Sequence, residues 1–382
     1  MPKRNVRLVI AGGGTGGHVL PAIAVIEELR NREALDDILW LGSAGGLERE
    51  AAAEASITFQ AIPTGKLRRY LSARTVVDGL RVPAGIVRAW QHLRRFQPTV
   101  VFSTGGFVSV PTVIAAARQA PILTHEQTAI LGMATRINAR FADVLAISYD
   151  ATLPLAQAHH ANIVVTGNPV RAALRHGTAE RGFAHWRLSP DLPLIYVTGG
   201  ARGASALNQR IGQLLPTLLP HCQIVHQTGP PTANSDAATL AMRRDQLSPE
   251  LRERYRVVEF VHSELADTYA AASVILSRSG AGTVAEIAYL GKPAILIPLP
   301  GTGGDEQTRN ARLLEEGGGA IVLPQSDASS ERLCEILLRL LGDDRERARM
   351  GGASARVGRP DAASRLADAL LALGDRPHNQ KP

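Results

Sequence analysis

Cysteine, aromatic residues and long apolar runs are scarce in this sequence, and each shortage excludes a class of protein. The 382 residues include only two cysteines, Cys222 and Cys334, so we expect neither a disulfide framework nor a cysteine-based zinc site, and a reducing cytosol is the natural compartment. No segment approaches the roughly 18 apolar residues of a membrane-spanning helix. The apolar run Leu8–Ala11 is also too short for the core of a signal peptide.

The remaining composition is that of an ordinary folded protein. Charged residues make up 20% and hydrophobic residues 45% of the chain, which excludes intrinsic disorder. Because aromatic residues amount to only 4%, the core must consist of Ala, Val, Leu and Ile, as in buried parallel strands. The formal net charge of +7 favours anionic partners such as phosphates or lipid headgroups, and it indicates neither in particular.

Short apolar runs alternate with amphipathic stretches along the whole chain. The runs predict strands at Val6–Ala11, Ile38–Leu41, Ile57–Ile62, Val100–Ser103, Ile122–His125, Val144–Ile147, Ile163–Thr166, Leu194–Thr198, Gln223–Gln227, Val257–Phe260, Val274–Ser277, Ala294–Pro298 and Ala320–Leu323. Amphipathic stretches such as Pro21–Asn31, Leu207–Leu215 and Thr283–Leu290 predict helices between them. Strands separated by helices form βαβ units, so the sequence predicts an α/β protein with parallel sheets.

The pattern occurs twice, which predicts two Rossmann-like domains. Each half opens with a strand that runs into glycines, at residues 9–14 and again at residues 196–200. We expect a first domain over residues 1–168, a second over residues 169–350, and a C-terminal helix at about 355–373 that packs back on the first. Ligands of such sheets bind at the carboxyl ends of the strands, so we expect a site in the cleft between the domains.

Residues 12–17, GGGTGG, match the G-x-G-x-x-G pattern of a dinucleotide-binding loop between a strand and a helix. That pattern also requires an acidic residue at the end of the second strand, where this chain has Leu39-Trp40-Leu41-Gly42. NAD binding and a tight turn without a ligand are therefore alternatives. Glycines in this position let backbone N–H groups approach an anion at a helix N-terminus.

Seven glycine-rich or polar segments follow one another along the chain. They are GGTGGHVLPA at 13–22, FSTGGFVS at 102–109, HEQ at 125–127, GNPVR at 167–171, GGARGA at 199–204, SRSGAGTVAE at 277–286, and DEQ at 305–307 followed by Asn310 and Ala311. In this order they closely resemble the signature segments of the MurG family, bacterial N-acetylglucosaminyltransferases that convert lipid I to lipid II. The matches run from residue 6 to about residue 320, which is far more specific than any single motif.

The resemblance implies a GT-B glycosyltransferase whose two Rossmann-like domains face a deep cleft. The implied reaction is the inverting transfer of N-acetylglucosamine from UDP-GlcNAc to lipid I, undecaprenyl-diphospho-N-acetylmuramoyl-pentapeptide, at the cytoplasmic face of the membrane. The first domain would then hold the acceptor and face the membrane, and the second would bind the UDP-sugar. No Asp-x-Asp motif stands in a convincing position, so we expect no metal or other cofactor, and we expect no nucleic-acid partner.

Three positions depart from the family pattern. Thr128 follows H-E-Q where the family often has Asn, and Ala201 stands where it usually has Ser. Residues 300–304, PGTGG, are a glycine-rich variant. Thr128 can still form a hydrogen bond through its hydroxyl, whereas a contact at Ala201 would have to come from the backbone. These changes leave the donor class intact and bear mainly on the acceptor.

The resemblance also assigns the substrate-binding positions. They are Thr15, Gly16, Gly17, Thr128, Arg171, Ala201, Val261, Ala281, Gly282, Thr283, Val284, Ala285, Glu286 and Gln307. The turn at residues 281–284 enters a helix and is a suitable cradle for the leaving diphosphate.

Four of these positions have a specific expected role. Glu286 would accept hydrogen bonds from two ribose hydroxyls, or else interact only with the helix dipole. Arg171 would supply a cation to the diphosphate, or else lie on the surface near the hinge. Gln307 would bind sugar hydroxyls, or else belong to a surface loop. Val261 would contact uracil through backbone atoms.

Two residues are candidates for the catalytic base that deprotonates the acceptor. His18 directly follows the first glycine loop, and an imidazole can accept a proton near neutral pH. Glu126, at the end of a strand in the same domain, is the competing base or orienting residue. A structural role remains the alternative for His18, and His125 is expected to be structural.

The segment from Arg74 to Arg95 combines apolar and basic residues. Its apolar residues are Val76, Val77, Leu80, Val82, Ile86, Val87, Trp90 and Leu93, and its arginines are Arg74, Arg81, Arg88, Arg94 and Arg95. An apolar surface rimmed by arginines suits an anionic membrane, and a core-packing helix with a solvated basic face is the alternative. A lipid-linked acceptor favours the membrane.

Three other functions remain open. A glycosyltransferase of the same fold could act on another lipid or on a secondary metabolite. A UDP-GlcNAc 2-epimerase would convert the donor without an acceptor. A non-catalytic protein would bind the UDP-sugar and release no UDP when an acceptor is supplied.

Overall fold

The computed structural model describes residues 5–65, 73–233 and 235–375, and for residues 73–80 it describes the backbone alone. The chain divides into two compact units. Unit 1 contains the residues up to Arg171 and those from Arg359 onwards, and unit 2 contains Ala172–Gly358.

Unit 1 is built on a parallel sheet of seven strands among the described residues, in the order β3-β2-β1-β4-β5-β6-β7. The strands are β1 Val6–Gly12, β2 Leu35–Gly42, β3 Thr58–Ala61, β4 Val100–Gly105, β5 Ile122–Glu126, β6 Val144–Ile147 and β7 Ile163–Val165. Helices cover both faces, and they are α1 Gly16–Asn31, α2 Leu47–Glu54, α3 Ala73–Phe96, α4 Val110–Ala116, α5 Met133–Ala139 and α6 Leu153–Gln157. Because β1 and β4 lie at the centre, residues such as Ile10 and Phe102 are completely buried.

Unit 2 repeats this design with a parallel sheet of six strands among the described residues, in the order β10-β9-β8-β11-β12-β13. The strands are β8 Leu194–Thr198, β9 Gln223–Gln227, β10 Tyr255–Val258, β11 Val274–Ser277, β12 Ala294–Leu296 and β13 Ala320–Val322. The helices are α7 Ala179–Trp186, α8 Ser205–Leu218, α9 Asp236–Asp245, α10 Pro249–Arg252, α11 Leu265–Ala271, α12 Ala281–Leu290, α13 Glu306–Glu316, α14 Ser330–Leu341 and α15 Asp344–Val357. Short 3₁₀ turns occur at Asp150–Thr152, Ala172–His176 and Gly303–Asp305.

The last helix, α16 Ala362–Gly374, belongs to unit 1. It packs on α1 with Leu366, Leu370 and Leu373 in the same apolar core as β1. Arg32 at the end of α1 pairs with Asp368. The helix begins after the expected residue 355, because residues 355–357 are the end of α15 in unit 2.

The predicted α/β class and every predicted strand are confirmed; some strands have the predicted bounds, and the ends of the others shift by a few residues. Strand β10 starts at Tyr255 instead of Val257, because the charged Arg256 interrupts the apolar run in the sequence, whereas in the structure its guanidinium donates to the Trp186 carbonyl. Helix α1 starts at Gly16, before the predicted Pro21, since the glycines that open it have low helix propensity.

Candidate active site

The first glycine loop connects β1 to α1 at the carboxyl edge of the sheet. Gly14 has a φ of +85°, a backbone conformation that favours glycine. Thr15 is the exposed N-cap residue of α1, and its side chain makes no capping hydrogen bond. Gly16 and Gly17 open the helix, which has no acidic residue in its first turn. The loop therefore directs the positive end of the α1 dipole towards the edge of the sheet.

The fully buried carboxylate of Glu48 in α2 holds this loop. Oε2 accepts from the Gly14 N–H at 2.8 Å, and Oε1 accepts from the Ser43 N–H at 2.8 Å and its hydroxyl at 2.6 Å. A Cβ at Gly13 or Gly46 would overlap the Glu48 side chain. Gly13 and Gly46 thus leave room for the Glu48 side chain. The Gly14 N–H donates to this side chain and is therefore not available to a ligand.

The imidazole of His18 is held in a defined orientation. Its Nδ1 lies 2.8 Å from the Thr104 carbonyl oxygen and 3.1 Å from Oε1 of Gln127. The Gln127 amide nitrogen donates to the same Thr104 carbonyl at 2.8 Å, which assigns the amide orientation. Since both partners of Nδ1 are acceptors, the neutral ring carries its proton on Nδ1 and its lone pair on Nε2. A general base requires a lone pair of this kind.

The second glycine loop packs against this imidazole. A Cβ at Gly105 would lie 3.5 Å from His18 Nδ1, and one at Gly106 would lie 3.0 Å from Cδ2. Both glycines have positive φ values, of +82° and +73°. Three segments that are far apart in the sequence meet at His18, namely the two glycine loops and H-E-Q. They lie at the carboxyl ends of β1, β4 and β5, which are neighbouring strands of the sheet.

Glu126 is occupied within its own loop. Its Oε1 accepts from the Thr128 N–H at 3.2 Å and hydroxyl at 2.8 Å, and its Oε2 accepts from the Gly132 N–H at 2.9 Å. The carboxylate is almost fully buried. The Thr128 hydroxyl also lies 2.7 Å from the Ile130 carbonyl. Glu126 and Thr128 thus organise the 126–132 loop, which disfavours Glu126 as the base.

His125 and Arg171 also belong to unit 1. Burial lowers the pKa of His125 to about 3, so its imidazole is neutral, and Nε2 lies 3.0 Å from the Gly167 carbonyl oxygen. These contacts are those of a structural residue. Arg171 is the last residue of the first part of unit 1. Burial raises the pKa of Glu27, and the positive charge of Arg171 lowers it. The structure therefore groups Arg171 with unit 1.

The start of α12 in unit 2 has the geometry of an anion cradle. The N-cap residue is Gly280, which has no side chain with which to cap the helix. The first turn contains no acidic residue. Apart from the adjacent residues and the backbone of the helix itself, no heavy atom of the described residues lies within 4 Å of a Cβ placed on Gly280 or Gly282. Val284 and Ala285 are buried and so fix the helix in unit 2, and the N–H groups at a helix N-terminus are suited to bind an anion.

Glu286 lies beyond the first turn of α12, where the helix dipole has little effect. Its Oε2 accepts a hydrogen bond of 2.9 Å from the Tyr269 hydroxyl. A role in helix capping is therefore disfavoured for Glu286. The carboxylate remains partly exposed, as a group that binds a ligand must be.

The side chain of Gln227 connects two predicted donor-binding segments. Its Oε1 accepts from the Val261 N–H at 3.0 Å, and its Nε2 lies 3.4 Å from the Gly200 carbonyl oxygen next to exposed Ala201. The Val261 N–H donates to Gln227, so we consider the Val261 carbonyl as the backbone contact of a pyrimidine. A carbonyl oxygen is suited to accept from the N3–H of the base. Gln227 was missed because it stands in no glycine-rich motif.

Gln307 lies in the first turn of α13. Its Oε1 accepts from the Leu299 N–H at 2.9 Å, and its carbonyl accepts from the Ser279 hydroxyl at 2.8 Å. The side-chain oxygen therefore shapes the loop after β12, and the amide nitrogen is the group suited to donate to a sugar oxygen. Gln307 also fixes the segment that leads into α12.

Apart from Arg171, the structure thus gathers the predicted residues into two clusters, each at the carboxyl edge of one sheet. Thr15, Gly16, Gly17, His18, Glu126 and Thr128 lie in unit 1, and Ala201, Val261, residues 281–286 and Gln307 lie in unit 2. Within the described ranges, no group of three or more His, Cys, Asp or Glu side chains could hold a metal ion. The groups available for chemistry are helix N-termini, amides, carboxylates and an imidazole.

Two family models match the chain. The N-terminal domain of glycosyltransferase family 28 matches residues 8–147, and its C-terminal domain matches residues 194–366. The first match contains the glycine loops, His18 and Glu126, and the second contains Val261, Glu286 and Gln307. Both clusters therefore lie inside the matched regions.

Known proteins resemble this chain over most of its length. A protein of Treponema denticola named UDP-N-acetylglucosamine–N-acetylmuramyl-(pentapeptide) pyrophosphoryl-undecaprenol N-acetylglucosamine transferase is 38% identical, over 88% of this chain and 87% of its own. A protein of the same name from Salinibacter ruber is 36% identical, over 98% and 99%. The crystal structure of Acinetobacter baumannii MurG has a TM-score of 0.71 and 25% identity, over 96% of this chain and 99% of that one.

Proposed function

The chain belongs to the MurG family within glycosyltransferase family 28, and from that premise we propose that it transfers N-acetylglucosamine from UDP-GlcNAc to lipid I. The product is lipid II, a precursor of peptidoglycan. The observation that carries this proposal is the similarity to transferases of that name along 88% to 98% of the chain. The GT-B fold follows from the same relatives and from the two parallel sheets.

The transfer forms one bond and breaks another. An acceptor hydroxyl attacks C1 of N-acetylglucosamine, the bond between C1 and the diphosphate oxygen breaks, and UDP leaves with the electron pair. Attack opposite to the leaving group inverts the configuration at C1. We assign the removal of the hydroxyl proton to Nε2 of His18, because the contacts of Nδ1 leave the lone pair on Nε2.

Unit 2 supplies the donor-side groups of the proposal. The N–H groups of Ala281, Gly282 and Thr283 would bind the diphosphate and stabilise the charge that develops on it. Glu286 would accept from the ribose hydroxyls, and the Val261 carbonyl would accept from uracil. These assignments are supported by the first turn of α12, which contains no acidic residue, and by the oriented carboxylate.

The reaction can be tested with purified protein, radiolabelled UDP-GlcNAc and a lipid I analogue. We expect label to appear in the lipid product, with an equal amount of UDP, only when the acceptor is present. Conversion of the donor without acceptor would indicate a 2-epimerase. Transfer to another lipid or metabolite, but not to lipid I, would indicate a different glycosyltransferase. UDP-sugar binding without release of UDP would indicate a binding protein.

We further propose that the second half of α3 binds an anionic membrane surface. Residues 81–96 contain four arginines and no acidic residue. Val87 and Trp90 are 58% and 43% exposed, whereas Leu93 lies in the core, so the apolar residues are divided between the core and the surface. No helix in the described part of the chain is long and apolar enough to cross a membrane. A peripheral position at the cytoplasmic face fits the lipid-linked acceptor.

Arginines lie close to Trp90 and His92 on this helix. The Arg94 guanidinium lies 4.9 Å from the Trp90 ring centroid, and Arg88 and Arg95 add to the effect of burial in lowering the pKa of His92. The side chains of Arg74, Val76, Val77 and Leu80 lie outside the described residues. The patch formed by Val87, Arg88, Trp90, Arg94 and Arg95 carries the proposal.

Replacing Arg88 and Arg95 with glutamate is expected to weaken binding to anionic vesicles. Each arginine near such a surface contributes about 1 kcal/mol, so losing two reduces the affinity at least roughly thirtyfold, and repulsion of the two new carboxylates by the anionic surface adds to the loss. Co-sedimentation with vesicles of increasing anionic lipid content measures the change. The control is the Arg339→Glu, Arg345→Glu variant, which alters the net charge equally at exposed positions of unit 2. Equal losses in both variants would contradict a specific patch, and activity on a water-soluble acceptor should persist.

A further inference from the structure

A buried tyrosine orients the carboxylate that we assign to the ribose. Tyr269 on α11 is 2% exposed, and its hydroxyl donates to Oε2 of Glu286 at 2.9 Å. Glu286 and Tyr269 lie on different helices, which flank β11 in the sequence. The contact is therefore set by the tertiary fold and does not follow from the local helix.

The Tyr269 ring is itself fixed. It packs edge-on against Tyr196 of β8, with ring centroids 5.4 Å apart and an interplanar angle of 84°. Tyr196 is completely enclosed as well, and its hydroxyl donates to Oε1 of Gln227 at 3.1 Å. That oxygen also accepts from the Val261 N–H. The two rings thus connect the segment assigned to uracil with the carboxylate assigned to ribose.

We propose that Tyr269 is a positioning residue for nucleotide binding. Its hydroxyl holds the Glu286 carboxylate in the orientation that accepts ribose hydroxyls, so binding does not have to immobilise a long flexible side chain. This inference rests on the proposed role of Glu286. It predicts that the Tyr269 hydroxyl contributes to affinity only when the ligand carries ribose hydroxyls.

The test compares UDP with 2′,3′-dideoxyuridine diphosphate by calorimetry on the full-length protein. Tyr269→Phe keeps the buried ring and removes only the hydroxyl. We expect this variant to bind UDP five- to tenfold more weakly and to bind the dideoxy ligand within twofold of the wild type. The preference for UDP over the dideoxy ligand should therefore fall by the same factor.

Tyr255→Phe is the matched control. Tyr255 is another buried tyrosine of unit 2, and its hydroxyl lies 2.9 Å from His226 Nδ1. We expect this control to leave the preference for UDP unchanged, and thermal unfolding of both variants shows that they are folded. If Tyr269→Phe weakens both ligands equally, or neither, the positioning role is wrong.

Glu286→Ala separates this inference from the function on which it rests. If Glu286→Ala abolishes the preference for UDP and Tyr269→Phe does not change it, only the inference fails. If Glu286→Ala leaves the preference intact, the ribose assignment and the inference fail together. Transfer to the lipid I analogue by the wild-type protein reports on the reaction independently of both results.

Discussion

His18→Asn is expected to lower kcat by roughly 10²–10⁴, the usual contribution of a general base, while the protein remains folded. The asparagine amide nitrogen can take the place of Nδ1 and donate to the Thr104 carbonyl, which His18 contacts at 2.8 Å. The substitution therefore keeps the structural contact and removes the lone pair on Nε2. Initial rates at saturating donor and acceptor measure kcat, and thermal unfolding measures stability.

UDP affinity should remain unchanged in His18→Asn, because the groups assigned to UDP lie in unit 2. His18→Ala should lose as much kcat as His18→Asn and should also lose stability, since it leaves the Thr104 carbonyl without this donor. A near-normal kcat in His18→Asn would mean that the imidazole is purely structural.

Glu126→Gln tests the competing base. The amide would place a donor next to the N–H of Gly132 or Thr128, which now donate to the carboxylate. We therefore expect the free energy of unfolding to fall by about 1–3 kcal/mol, with a much smaller loss of kcat than in His18→Asn. The opposite order of kcat losses would transfer the role of base to Glu126.

Most strands could be predicted because they contain a short apolar run that ends at glycine or polar residues. Val144–Ile147 and Val274–Ser277, for example, are observed with the predicted bounds. The apolar run determines where a strand lies, because both faces of a parallel sheet are buried. The clusters could also be anticipated, since the carboxyl ends of parallel strands lie at one edge of a sheet.

The contacts within the clusters could not be predicted in this way. Glu48 binds the glycine loop from 34 positions away, and Gln127 reaches His18 from 109 positions away. The second strand ends without an acidic residue, whereas the carboxylate that holds the loop lies further along the chain, in the first turn of α2. Such pairings depend on which loops become neighbours and leave no local periodicity in the sequence.

The state of each polar group also depends on the fold. Val261 was predicted to contact uracil through its backbone, and the structure shows that its N–H already donates to Gln227. Glu126 could equally have been a base until its three hydrogen bonds within the 126–132 loop were known. Whether a side chain acts on a ligand or supports a loop is thus decided by its partners.

Glu286→Ala is expected to weaken UDP binding by about 1–3 kcal/mol, or roughly 5- to 150-fold, because hydrogen bonds to an ionised carboxylate are lost. The loss should appear with UDP alone, since ribose belongs to the nucleotide, and calorimetry measures it directly. Glu286→Gln should lose less, because the amide keeps one acceptor oxygen for the ribose hydroxyls.

The control for this prediction is Glu331→Ala, which removes an exposed glutamate from the first turn of α14. Glu331 interacts with its own backbone and with Ser329 at the start of α14, and these contacts lower its pKa, so its loss should lower stability slightly and leave UDP affinity unchanged. Glu286 lies beyond the first turn of α12 and accepts from Tyr269, so a dipole effect predicts almost no change in either quantity. Unchanged UDP affinity in Glu286→Ala would therefore remove Glu286 from the donor site, and a large loss of affinity confined to this variant would place the ribose at its carboxylate.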